Sequence, residues 1–472
     1  MILLRLARLG EHAFFGALFS LSTKVIGSLL ALVMFALVAR TVDFAAFGRL
    51  VIVFNIVSLI SVAAVLGQDT LIRRSWGEYV ERDPGLARGA ILFGLRMSLI
   101  GMVVAVLGFV VWEAAFDRRL DTAELIAVAA YLGTQTLMFY AADLTRMALG
   151  TRVSEPPREL FWRLPLVAAL GLAVSLALHL SIVFFFSVAA AAQLLTIFYL
   201  ARRISIGLPR AVYEATPRAL TGEWLRRSAR MTVAAMAEAA HQYSDVILIG
   251  HFLGPSSAAN YFVIVRIANI FPMLTSGVHT YSASKVSYMA YLDRFDDLRR
   301  LLAQISVLAL GATIALLAVI AFEGPLLLGV FGTQYPVLAH DLLLMSFVTG
   351  AATLAGPGPM LMLVMGADAL YLWLVIGALV VRIVALSILA PIWDVPGAIA
   401  AVALATLPLF LTVDIICIRT FGVDPSVASI FSCSLLRGRR LSTRGCGSDC
   451  TPISDSLPDV MSASNGGGIP RP

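Results

Sequence analysis

Twelve apolar stretches, each long enough to cross a bilayer as a helix, run from Phe14 to Ile418 and leave little chain for a soluble fold. A hydrocarbon core of about 30 Å takes roughly 20 apolar residues of helix to cross. The runs fall at 14–39, 50–66, 89–112, 124–142, 164–180, 182–201, 231–253, 259–283, 301–322, 342–365, 370–392 and 396–418. Charged residues make up 14% of the chain, against about 25% in ordinary soluble domains. The 472 residues therefore read as an all-α integral membrane protein and not as three globular domains. Runs 5 and 6 nearly merge, because nothing charged stands between Leu164 and Ala201. A single helix of that length would reach about 57 Å, so a tight turn near His179–Ser181 is expected to split it.

The loop charges fix an orientation. With the N-terminus in the cytoplasm, 27 of the 35 basic residues lie on the inner side. Arg73 and Arg74 follow run 2; Arg146, Arg152, Arg158 and Arg163 follow run 4; Arg226, Arg227 and Arg230 precede run 7. The outer side holds only Arg40, Arg49, Arg118 and Arg119. Basic residues in short loops stay cytoplasmic, so both termini are read as cytoplasmic and the arginines as topology signals. This reading also removes nucleic acid as the reason for the net charge of +6. Met1 to Ala13 resembles a signal n-region, but the run behind it is too long for a cleaved signal and stays as the first span. Cys417, Cys433, Cys446 and Cys450 lie on the reducing side, where neither disulfide nor metal site is expected.

The longest internal polar segment, Arg202 to Arg230, separates six runs from six more. The division expected is an N-terminal six-helix lobe (1–213), a C-terminal six-helix lobe (214–432) and a disordered cytoplasmic tail (433–472), rich in Ser, Gly and Pro. Run 10 contains Gly356-Pro357-Gly358-Pro359, which breaks it either as a simple kink or as a break lining a cavity.

Charges inside the spans point to a site. Lys24 and Arg382 sit near mid-depth in runs 1 and 11, and Arg266 lies in run 8. A basic residue at that depth costs on the order of 3 kcal/mol, so a wet cavity or an anionic partner is expected. Run 7 carries Glu238, His241, Gln242 and Asp245 on one helical face. These carboxylates either bind a coupling proton or cation, or pair with Lys24 or Arg266 across the bundle. Asp143 and Asp414, near inner ends, need no special role. No phosphate loop and no metalloprotease motif is present. The acidic run Asp293, Asp296 and Asp297 is flanked by arginines and reads as a solvated charge run. Enzyme activity and cofactors are not expected.

Asp245-Val-Ile-Leu-Ile-Gly-His-Phe-Leu-Gly254, with Ala259-Asn-Tyr261 and Arg266-Ile-Ala268, resembles the superfamily of multidrug, oligosaccharidyl-lipid and polysaccharide exporters. Ala39-Arg40, Phe47-Gly48, Leu66-Gly67 and Arg73-Arg74 agree, as do Phe331-Gly332-Thr-Gln-Tyr335 and Pro391 to Ala400. The resemblance covers about 14–418 and is nearest to Wzx-like polysaccharide flippases. It implies two six-helix lobes around a central cavity, and an undecaprenyl-pyrophosphate-linked oligosaccharide as cargo, moved across the bacterial inner membrane. Membrane lipids and the pathway's glycosyltransferases or polymerase would be partners. The family's cavity cations match Lys24 and Arg266 here; Arg382 is added from depth alone. Glu238 and Asp245 make the cavity less cationic, which also suits a proton- or sodium-coupled exporter of cationic small molecules. A scaffold that transports nothing is the third reading, and mid-depth charges argue against it.

Overall fold

A computed structural model describes residues 2–117, 120–176, 180–273, 286, 289 and 295–429. Among these the regular structure is entirely helical. The helices are α1 (Ile2–Thr41), α2 (Phe44–Ala64), α3 (Gln68–Tyr79), α4 (Pro84–Trp112), α5 (Thr122–Leu149), α6 (Thr151–Pro156), α7 (Arg163–Ser175) and α8 (Ile182–Gly207). They continue as α9 (Arg210–Glu214), α10 (Thr221–Phe252), α11 (Pro255–Ala268), α12 (Phe295–Gly329), α13 (Ala339–Leu354), α14 (Gly358–Val364) and α15 (Asp368–Phe421).

Short polar residues start these helices, as orphan N–H groups require. Asp83 accepts from Leu86 N at 3.0 Å, with Pro84 at the first helical position. Asp121 and Glu124 form a reciprocal capping box on α5. Ser181 accepts from Phe184 N at 3.1 Å and opens α8. That cap, with α7 ending at Ser175, places the break between runs 5 and 6 where it was expected; His179 itself lies outside the described residues.

Among the described residues, eight helical segments are long and apolar enough to cross a membrane. The last, α15, holds both runs 11 and 12, kinked at Asp394 (φ 53°, ψ −134°) between Pro391 and Pro396. Runs 5, 7 and 8 lie on α7, α10 and α11. The first and third are short, with 13 and 14 residues, and α10 is too polar to count among the eight. Run 8 extends past Met273 beyond the described residues, as do Lys285, Asp293 and Arg294 of the following loop and the expected tail, 433–472. Asp296 and Asp297, at the start of α12, pair with Arg299 and Arg300 at 3.4 and 4.0 Å.

Packing follows the halves of the chain. Helix α5 lies along α8, α4 and α3, and α1 along α7; α12 lies along α13, and α15 against α10, α13 and α14. The halves meet where α2 packs on α10 and α11. The approach is close because position 48 has no side chain: a Cβ on Gly48 would lie 2.0 Å from the Pro255 carbonyl oxygen. Phe35 bridges the same seam, edge-on to Phe54 at 5.1 Å and to Phe262 at 4.7 Å. Outward faces carry side chains such as Phe198, Phe322 and Trp373, exposed in the isolated chain, as a lipid-facing surface requires. The segment between α8 and α10 is strapped to the start of α4. Arg218 donates from its backbone to Gly85 O at 2.9 Å and from its side chain to Asp83 at 2.8 Å.

Candidate functional site

Helix α10 is the polar element of the bundle, and it stands between two cavities. The larger, about 770 Å³, is bounded by α2, α5, the turn after α6, α10 and α11. Four guanidinium residues line it, Arg73, Arg158, Arg163 and Arg266, together with Asp69, Glu159 and Glu238. The turn is the local device that aims several of these inward. Pro157–Phe161 is wound as a π-helical turn after Pro156, and the extra residue per turn re-aims the side chains beyond it. Trp162 Nε1 closes it by donating to Arg158 O at 3.0 Å.

The charges are unevenly matched. Arg163 donates to Glu159 at 2.7 Å. Arg158 lies 3.8 Å from Glu159 and 3.7 Å from Asp143, and Arg73 lies 4.0 Å from both Asp69 and Asp143. Asp143 is buried in this group and also faces Arg146 at 3.9 Å. Arg266 is different. Its guanidinium lies over the rings of Phe35 and Phe262, at 4.9 and 5.6 Å, and it has no carboxylate partner among the described residues. Glu238 likewise makes no ion pair among them.

The smaller cavity, about 460 Å³, lies on the other side of α10 and is lined by His241, Asp245, Asn269, Thr349, Arg382 and the Gly356-Pro357 break. The two open readings of that break thus resolve toward the cavity. Helix α13 ends at Leu354, α14 begins at Gly358, and Gly356 (φ 75°) sits where a Cβ would lie 2.0 Å from Pro425 O. Asp245 is held from three directions. Arg382 Nε donates to Oδ1 at 2.7 Å, Arg382 Nη2 donates to Oδ2, and the Tyr261 hydroxyl donates to Oδ2 at 2.7 Å. A planar fork on a carboxylate is the strongest arrangement these groups make. His241 Nε2 stands 2.9 Å from Val375 O, and Nδ1 stands 3.3 Å from Arg382 Nη1. A carbonyl on one side and a guanidinium on the other fix the neutral ring with its proton on Nε2.

The structure therefore redistributes the expected residues. Glu238 faces the large cavity with Arg266; His241 and Asp245 face the small one with Arg382; Gln242 borders both. The carboxylate of Asp245 pairs with Arg382, not with Lys24 or Arg266. Lys24 lines neither cavity. It is half-buried on α1, one turn before Gly27, where a Cβ would lie 3.0 Å from the Glu159 side chain. Arg73, Arg158 and Arg163, read as loop topology signals, are cavity residues. The only trace of this in the sequence is the Pro156-Pro157 pair ahead of Arg158 and Glu159.

Residues 15–283 match the model of the family described as polysaccharide biosynthesis protein. The chain belongs to that family. Its matched segment carries the large cavity's charged residues, with Glu238, His241, Asp245 and Arg266, and ends before Arg382. No curated protein sequence matches the chain. In fold it is similar to an inward-facing multidrug resistance MATE family transporter of the MOP superfamily, with TM-score 0.67 and 12% identity over 91% of this chain and 100% of that one. It is also similar to the lipid II flippase MurJ in an inward closed conformation, with TM-score 0.66 and 13% identity over 91% and 94% of the two chains. A third likeness is to a MOP superfamily transporter from Pyrococcus furiosus, with TM-score 0.60 and 12% identity over 86% and 94%. This family member thus has the all-α membrane fold of those transporters.

Proposed function

We propose that the protein is a flippase that carries a polyprenyl-pyrophosphate-linked oligosaccharide from the cytoplasmic to the outer leaflet by alternating access. The observation that carries this reading is the large cavity, in which Arg266 holds a guanidinium against two aromatic rings with no carboxylate partner among the described residues. A diphosphate entering an apolar body needs charge-assisted donors to replace its water. Arg266 provides one, with Arg73, Arg158 and Arg163 around the same space. Lys24 and Arg382 act at one remove in this reading, Lys24 through Glu159 and Arg382 through Asp245.

Membership of a polysaccharide biosynthesis family supports a saccharide cargo. We place the lobes at 1–213 and 214–432, the tail (433–472) and both termini in the cytoplasm, and the body in a bacterial inner membrane beside the pathway's glycosyltransferases or polymerase. An exporter of cationic molecules would need free acidic groups. Asp245 is committed to Arg382 and Tyr261, and among the described residues lining the two cavities Glu238 is the carboxylate left without an ion pair.

The test is deletion of the gene, followed by analysis of lipid-linked saccharides on each face of the membrane. The expected result is a pyrophosphate-linked unit accumulating on the cytoplasmic face and loss of surface polymer. Complementation with Arg266→Ala should leave protein in the membrane without restoring polymer, and Lys24→Ala should impair it less. Normal polymer in the deletion strain, with raised sensitivity to cationic dyes, would transfer the assignment to a drug exporter.

A further inference from the structure

The interface between α5 and α8 contains a short polar chain that the charges of the large cavity do not explain. The Thr134 hydroxyl on α5 has two acceptors in reach, Tyr131 O at 3.1 Å and, closer, Gln193 Oε1 on α8 at 2.8 Å. Gln193, fully buried, donates its amide in turn to Gln135 Oε1. Amides in an apolar helix interface are costly unless their polar atoms are matched, and here the matching runs one way. The Thr134 hydroxyl sets the carbonyl side of Gln193, which turns its NH2 toward Gln135. Gln135 is left with an occupied carbonyl and an NH2 group that donates to no described residue.

Gln135 lines the large cavity. One helical turn earlier on α5, Tyr131 lines it too, with its side chain fully buried, hydroxyl included. Phe139 and Trp162 stand on the same wall. An uncharged amide donor beside aromatic rings suits an alcohol-rich, half-apolar ligand, whereas the guanidinium groups suit an anion. Within one cavity the two chemistries stand side by side.

We infer that Gln135 is the contact that recognises the saccharide next to the diphosphate of the cargo, and that Gln193 and Thr134 are the positioning residues that aim it. This rests on the flippase reading, which fixes the class of cargo. It assigns sugar recognition to α5 and leaves phosphate recognition to the arginines.

The test compares two probes on purified protein in nanodiscs, with tryptophan fluorescence as readout. One is polyprenyl pyrophosphate, and the other is the pyrophosphate-linked saccharide extracted from gene-deleted cells. Wild type is expected to hold the glycosylated probe roughly 5- to 10-fold tighter, the worth of one or two hydrogen bonds. Gln135→Leu should bring that ratio to about one while binding of the bare probe stays unchanged, which also reports that the variant is folded. Gln193→Leu should lower the ratio part-way. A Gln135→Leu variant that keeps the wild-type ratio overturns the inference and leaves the flippase reading standing. One that loses both probes alike also overturns it, since Gln135 would then only hold the cavity's shape. Wild type that binds neither probe overturns the flippase reading, and the inference with it.

Discussion

At Asp245 both carboxylate oxygens are taken, one by Arg382 and the other by Arg382 and Tyr261. Removing one partner of such a pair strands the other charge, at a cost of about 3–5 kcal/mol, whereas replacing both by apolar groups of similar volume is often neutral. Asp245→Asn and Arg382→Met should each lower the thermal midpoint of the detergent-purified protein, and Asp245→Leu with Arg382→Met should recover most of that loss. Equal losses in single and double variants would show that the pair is not the source. The sequence placed both residues at membrane depth but not together, and helix geometry explains why. At 100° per residue, positions 238, 241, 242 and 245 spread over an arc of roughly 100°. His241 and Asp245 lie on one edge and Glu238 and Gln242 on the other. A helix between two cavities divides such an arc, and only the neighbours of α10 reveal the division.

Helix ends hold the next level of information, and here the sequence was uneven. The twelve apolar runs, the break at Gly356-Pro357 and the turn before Ser181 were legible because composition and backbone restriction act locally. The π-helical turn at Pro157–Phe161 was not, and so loop charge counting hid the cavity role of Arg158 and Arg163. The Arg40 end of α1 offers an element-scale test. Arg40 donates from Nε to Val330 O at 2.8 Å and from Nη2 to Gly329 O at 2.9 Å, ending α12 from the other half of the chain. Charge-assisted bonds to helix C-terminal carbonyls are worth about 1.5–3 kcal/mol. Arg40→Ala should therefore favour separation at this end by roughly 10-fold or more. A membrane-impermeant maleimide should label Asn260→Cys, on the wall of the adjoining cleft, correspondingly faster in the Arg40→Ala background. Unchanged labelling would mean that Arg40 merely decorates the contact.

Across the whole molecule, the seam between the halves differs at its two ends. At the Arg40 end the backbones of α2 and α11 meet with no space for a Cβ at Gly48, and Gly250 of α10 packs against the Ile52 side chain. Away from that end the seam widens into the large cavity, walled by α2 and α5 on one side and by α10 and α11 on the other. A cargo held there can leave toward the Arg40 end only if α2 parts from α11, because close-packed backbones do not let a head group slip between them. In the proposed flippase, export by alternation requires this contact to break and re-form, as rigid halves moving about an interface do. Cysteines at Arg40 and Val330, joined by a short cleavable cross-linker in the background of Cys417→Ser and a chain without its other cysteines, should stop surface polymer export. Cleaving the linker should restore it. Export that continues through a quantitatively cross-linked seam would mean that cargo leaves by another route, and the closed end would then be a permanent wall of the cavity.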